Sequence, residues 1–181
     1  MSRSKKLIVT ALFLIGACIL LYPAVSNKLA ERHQAEMISR YEQTVEELPK
    51  TDMKSEWEKA VKYNESVTGM SVEDPFILGS GSVLPGNYKD VLNVEEKEGV
   101  MGYIEIPAID VMLPIYHGVS ERVLRRGVGH METTALPIGG KGTHSVLASH
   151  RGLSTAKLFT DLDRMKEGDL LYPCIGSSSY L

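Results

Sequence analysis

The stretch VMGYIEIPAIDVMLPIYHG, residues 100–118, decides the fold. Its β-branched and aromatic side chains come in short runs, interrupted by Pro107 and Pro114. That pattern predicts two or three short strands with a turn near residues 108–110. Downstream, SERVLRRG predicts one or two helical turns, capped by Ser120 and stopped by Gly127. Loop sequence follows, then a strand at about residues 144–149. TAKLFTDLDRMKEGD spaces Phe159, Leu162 and Met165 as a short helix would, and LLYP opens a further strand. The chain from residue 100 onward therefore reads as mainly β.

Upstream the grammar is helical. Residues 7–25, LIVTALFLIGACILLYPAV, carry no charge and are long enough to cross a bilayer as a helix. Arg3, Lys5 and Lys6 precede them, which predicts a cytoplasmic N-terminus and an exported remainder. A cleaved signal peptide is the competing reading, but Ala24-x-Ser26 is a poor cleavage site and the apolar run is long for one. Ile38, Tyr41, Val45 and Leu48 then recur at helical spacing until Pro49. A second helix, capped by Thr51 or Asp52, places Trp57, Val61 and Asn64 on one face. The Gly-, Ser-, Pro- and Asp-rich segment after it has no period and contains Asp74-Pro75-Phe76. As a bare dipeptide signal this is an ordinary turn with Phe76 packed locally. The expected layout is residues 1–26 as a transmembrane anchor, 27–68 as a helical stalk, 69–99 as a lid or linker loop and 100–181 as a β domain.

Charge and cysteines narrow the function classes. The 20 basic and 23 acidic residues leave a net charge of -3, with no basic excess to suggest nucleic acid as a partner. Cys18 lies inside the apolar run and Cys174 near the C-terminus, so no disulfide framework is expected. His117, His130, His144 and His150 match no compact zinc spacing and have no cysteine pair beside them, so neither a metal nor an organic cofactor is expected. His150 follows the apolar run Val146, Leu147, Ala148 and precedes Arg151 and Gly152. A strand end presents a side chain in this way, and an imidazole so placed exchanges protons with a partner.

The order of the motifs says more than any one of them. G-Y-I-x-I-P-A-I, L-P-I-Y-H-G, G-H-M-E-T-T-A-L-P-I-G-G, H-S-V-L-A-S-H-R-G-L and K-L-F-T-D-L-D-x-M-K-x-G-D follow one another. This succession resembles the sortase family. With the N-terminal anchor, the helices and the Asp74-Pro75-Phe76 loop, it resembles the class C, pilin-polymerising subgroup. The resemblance implies a membrane-anchored cysteine transpeptidase of Gram-positive bacteria built on an eight-stranded β-barrel. Its partners would be pilin or surface proteins carrying a cell-wall sorting signal, cut by a thiolate to a thioacyl intermediate and passed to a lysine amine of the next pilin. It would be a single-pass cell-membrane protein with an extracellular C-terminal domain. His150 matches the family histidine, and Asp74, Pro75 and Phe76 match the lid over the active site. Ser149 stands where a glycine is common.

The match stops short of the family's nucleophile. No T-L-x-T-C stretch occurs in the sequence, Cys174 lies in the unrelated context L-Y-P-C-I-G, and Arg151 is not the family arginine. Cys174 is not expected to act as nucleophile. The expectation is therefore a sortase-type barrel that is incomplete and inactive, folding poorly or self-associating because its sheet cannot close. A reading-frame change near residues 172–175 would account for the divergent end. The competing readings are a non-catalytic membrane-anchored remnant or peptide-binding protein, and a plain surface adhesin.

Overall fold

The structure, a computed structural model, describes residues 3–68, 87–94 and 99–176. Asp74, Pro75 and Phe76 lie outside the described residues.

The apolar run and the amphipathic segment form one helix, α1 (Arg3–Glu47), which continues through Pro23. Its first part is covered by nothing: the most apolar window is wholly unburied. Its last turns bury Ile38, Tyr41 and Val45 of the stripe read from the sequence, with Gln34 and Met37 beside them, while Leu48 lies past its end. Helix α2 (Lys50–Val67) begins directly after Pro49, which occupies the cap position without any side-chain hydrogen bond. Neither Thr51 nor Asp52 caps it. Proline serves there because its fixed φ and absent N–H cost nothing where the first donors are unpaired. The buried stripe of α2 is Met53, Ala60, Tyr63, Asn64 and Val67, with Trp57 partly buried and Val61 exposed. That stripe is displaced from the predicted one because Ala60 and Tyr63, rather than Val61, face the sheet.

Strands β1 (Val100–Ile106) and β2 (Val111–His117) form the expected antiparallel pair around a 3-10 turn at Pro107–Ile109. Pro114 does not break β2. It stands opposite Tyr103, just before the part of β2 that pairs with the next strand. Helix α3 (Glu121–Leu124) is capped by the Ser120 side chain, which accepts from the Val123 N–H, as expected. It leads to β3 (Val128–His130), parallel to β2. The sequence gives no strand signal there, because three residues carry no period. Strand β4 (Leu147–Ala148) is shorter than predicted, and β5 (Tyr172–Cys174) pairs with β1. Residues 155–169 form turns and a 3-10 segment at Leu162–Arg164 instead of a helix. Their apolar spacing is met by a chain folding back on the sheet: the Phe159 N–H donates to the His150 carbonyl and Arg151 bridges Leu158.

The sheet order is β4-β3-β2-β1-β5. One core joins its inner face to α2 and to Tyr88, Val91 and Leu92, and a smaller cluster joins Tyr41 and Val45 of α1 to Val100 and Tyr116. At its centre lies a polar knot. The fully buried His130 donates from Nε2 to the Ala135 carbonyl at 2.9 Å and receives the Tyr88 hydroxyl at Nδ1 at 2.9 Å. The Gly118 N–H donates to that same hydroxyl. Buried Asn64 pairs in both directions with the Leu136 backbone, at 2.7 and 3.2 Å. Every buried polar atom in this knot has a partner, as burial requires.

Candidate active site

His150 stands immediately past β4, at one edge of the sheet. Three backbone-anchored contacts fix the strand end that carries it. The Ser149 hydroxyl donates to the Gly127 carbonyl at 2.7 Å, the His150 carbonyl accepts from Phe159, and the Gly152 N–H donates to the Thr160 hydroxyl at 3.3 Å. Ser149 thus adds a bond that a glycine at this position would lack. Gly127 is required by space, since a Cβ there would lie 2.6 Å from the Pro114 carbonyl oxygen.

The imidazole of His150 remains partly open to solvent, with a side-chain exposure of 30%. Its Nε2 lies 3.2 Å from Glu121 Oε2 on α3. Glu121 is held below the ordinary carboxylate range, first by the Arg125 Nε–H donated to Oε1 at 2.7 Å and also by the charge of His150. A carboxylate only accepts, so Nε2 carries the hydrogen of this contact and Nδ1 is the nitrogen left for proton exchange. Sequence reasoning missed Glu121. Its Ser-Glu start reads as a helix cap, and nothing local signals a partner so far along the chain.

The other sequence-stated candidates fall elsewhere. Arg151 is directed to Asp163, at 3.0 Å, not to His150. Cys174 lies on β5, the opposite edge of the sheet. The path across the three intervening strands is roughly 19 Å at ~4.8 Å per step. Its thiol donates weakly to the Tyr172 carbonyl at 3.7 Å. Burial pushes the Cys174 thiol up, with the Tyr103 hydrogen bond opposing that shift, so the thiolate is disfavoured. The second cysteine, Cys18, is in the apolar part of α1. Neither thiol of the sequence meets His150.

Of the remaining histidines, His33 lies beside Arg126, His117 is held between the Val91 and Gly99 carbonyls, and His130 is sealed in the core. Among the described residues no group of three His, Cys, Asp or Glu side chains is placed to hold a metal. Between the β4 and β5 edges runs an apolar trough of about 560 Å³, lined by Ile104, Ile106, Leu136, Leu147, Phe159 and Pro173 among others. The arrangement offers a partly solvent-open imidazole that donates from Nε2 to Glu121, and an apolar trough bounded by β4 and β5, which among the described residues each pair on one side only.

Comparison with known proteins gives this geometry a family. A Sortase domain model matches residues 104–174. Sortase A of Listeria monocytogenes is 28% identical over 170 residues, covering 93% of this chain and 66% of that protein. Sortase A of Bacillus anthracis is 25% identical over 171 residues, covering 94% and 69%. The chain therefore spans about two thirds of the length of these relatives. Among solved structures, Sortase C of Streptococcus pneumoniae superposes with a TM-score of 0.67 at 38% identity, covering 78% of this chain and 69% of that one. Sortase C1 of Streptococcus agalactiae gives 0.67 at 36% identity, covering 79% and 72%. The open five-stranded sheet is a sortase-type half-barrel, its structural neighbours are class C sortases, and the chain belongs to the sortase family.

Proposed function

We propose that the chain carries the anchor and the histidine-bearing half of a class C sortase. The reaction is cleavage of a cell-wall sorting signal and joining of pilin subunits through a thioacyl intermediate. The observation that carries this reading is His150 itself: an accessible imidazole at a strand end, in A-S-H-R-G, held by Glu121 in a sortase-family fold. Sortase C of Streptococcus pneumoniae is discussed in terms of catalysis and pilin substrate specificity, which supports pilin as the partner class. The apolar part of α1 is a candidate membrane anchor, and it supports a single-pass protein with the sheet on the outer face. Asp74, Pro75 and Phe76 are proposed as the lid on the sequence match alone.

The chemistry divides into parts this chain has and a part it lacks. His150 Nδ1 is suited to protonating the leaving amine, or to stabilising a nearby thiolate by charge. The attacking sulfur is a different matter. Cys174 is at the wrong sheet edge with its thiolate disfavoured, and Cys18 is in the anchor. The 181-residue chain alone is therefore proposed to be inactive. Cells lacking any related ligase, supplied with this chain and a pilin, are expected to form no covalent pilin polymers. Polymers in that experiment would overturn the proposal, as would labelling of Cys174 by a thiol-reactive sorting-signal analogue that disappears in His150→Ala.

A second reading is favoured by the trough. Its apolar lining and the two strand edges that are free among the described residues suit an extended peptide, so the chain would bind a sorting signal without cutting it. Retention of a sorting-signal peptide by the full chain in micelles, with a scrambled peptide passing through, is the expected result for that reading.

A further inference from the structure

The contacts of α1 fix how the folded part stands relative to the apolar run. Residues 7–25 span about 28 Å as a helix at ~1.5 Å per residue, close to the ~30 Å of a bilayer core. The helix is unbroken from there to Glu47, so no linker separates anchor from body. Ala30 already packs against the main core. It lies about 8 Å along the axis from Val25, whereas a headgroup layer is ~5–8 Å deep.

The direction of the sheet is equally fixed. Val111 and Leu113 at the start of β2 share a cavity with Glu31, Gln34 and Ile38, while Tyr116 near its end packs with Tyr41 and Val45. Strand β2 therefore runs along α1 away from the apolar run. The turn between β1 and β2 is the end of the sheet turned back toward it. Lys157 fastens that turn by donating to the Ile109 carbonyl at 3.0 Å. Its exposed residues are Pro107, Ala108, Asp110 and Met112, three of them apolar and Met112 at 49%. On α1 at this level Leu29 is 59% exposed, with Lys28 and Arg32 exposed beside it and Lys28 paired to Glu31. Exposed apolar side chains flanked by cations suit the boundary between phosphate groups and acyl chains.

We propose that the β1–β2 turn and the outer face of α1 at residues 28–32 rest on the phospholipid headgroup layer, so that the folded part lies on the membrane instead of standing off it. The inference rests on the reading of residues 7–25 as a membrane anchor. It also sets the height of the site. Ser149 is bonded to Gly127, and the neighbouring Arg126 carbonyl accepts from Gln34 at 3.3 Å, so the strand end bearing His150 is level with Gln34. That is about 14 Å along the axis beyond Val25, at ~1.5 Å per residue.

The test uses the full chain with Cys18 and Cys174 replaced by serine, reconstituted in vesicles of phosphatidylcholine and phosphatidylglycerol. Single cysteines bearing a fluorophore are placed by Met112→Cys, by Asp110→Cys as a second rim position, by Lys89→Cys at the far end and by Ile15→Cys in the anchor. Lys89 adjoins Tyr88, whose hydroxyl accepts from Gly118 beyond the outer end of β2. Lipids with a nitroxide on the headgroup are expected to quench the labels at 112 and 110 severalfold more than the label at 89. Equal quenching at all three, with the label at 15 quenched by acyl-chain nitroxides, overturns the headgroup contact and leaves the anchor intact. A label at 15 that acyl-chain nitroxides do not reach overturns the anchor and this inference together.

Discussion

Two histidines with similar sequence surroundings have opposite environments. His130 and His150 each lie in or beside a short strand, yet His130 is fully buried and His150 keeps a solvent-facing ring. Burial pushes His130 down from the ordinary 6.5 to about 4, with the Ala135 hydrogen bond opposing the shift. The neutral ring is therefore the folded form, and the unfolded chain takes up the proton first. Stability should be flat above about pH 6.5 and fall as pH drops toward 4, by roughly 3 kcal/mol in total. Urea titrations of the full chain in micelles at pH 7, 5.5 and 4.5 check this, and His130→Gln should remove most of the slope. A slope unchanged in His130→Gln would place the acid sensitivity elsewhere.

At the level of elements, α2 and the β1–β5 pair depend on a few close contacts. Asn64 is the one buried amide of α2 bonded both ways to another segment, through the Leu136 N–H and carbonyl. Asn64→Ala leaves the buried Leu136 N–H without a partner, while the Leu136 carbonyl keeps the Ile138 N–H, and should cost about 1–3 kcal/mol, measured by the shift in urea midpoint. Gly102 is where β5 comes closest to β1: a Cβ there would lie 2.5 Å from the Cys174 carbonyl oxygen and 2.3 Å from Ile175 Cδ1. Backbone cannot yield as a flexible side-chain end does, so Gly102→Ala should detach β5. Hydrogen exchange is the measurement, with the amides of Tyr172 and Cys174 expected to lose protection while those of β2 and β3 keep theirs. The motif G-Y-I-x-I-P-A-I contains this glycine, but only the pairing Tyr103↔Cys174 explains why it is a glycine.

For the whole molecule, the half-barrel has two outer edges. Among the described residues β4 pairs only with β3 and β5 only with β1, and an apolar trough lies between the free edges. Free edges over an apolar lining are a template for another chain. The solubilised protein is expected to associate in a concentration-dependent way that salt does not reverse, followed by light scattering on a dilution series. A monomer throughout, with one cooperative melt, would show that the edges are protected.

The sequence by itself determined the parts whose physics is local. The uncharged run of α1, the stripe Ile38, Tyr41, Val45, the Ser120 cap and the Pro107–Ile109 turn each follow from spacing or from the chemistry of one residue. The motif order around His150 was enough to identify the family before any coordinates. Only the tertiary structure decided what depends on distant segments meeting. It produced β3 from three residues with no period, turned Phe159 and Leu162 from an expected helix into a fold-back against the sheet, and set Glu121 against His150. It also placed Cys174 across three strands from that imidazole. Such pairings are chosen by burial and hydrogen bonding summed over the whole sheet, and no short window of sequence contains that sum.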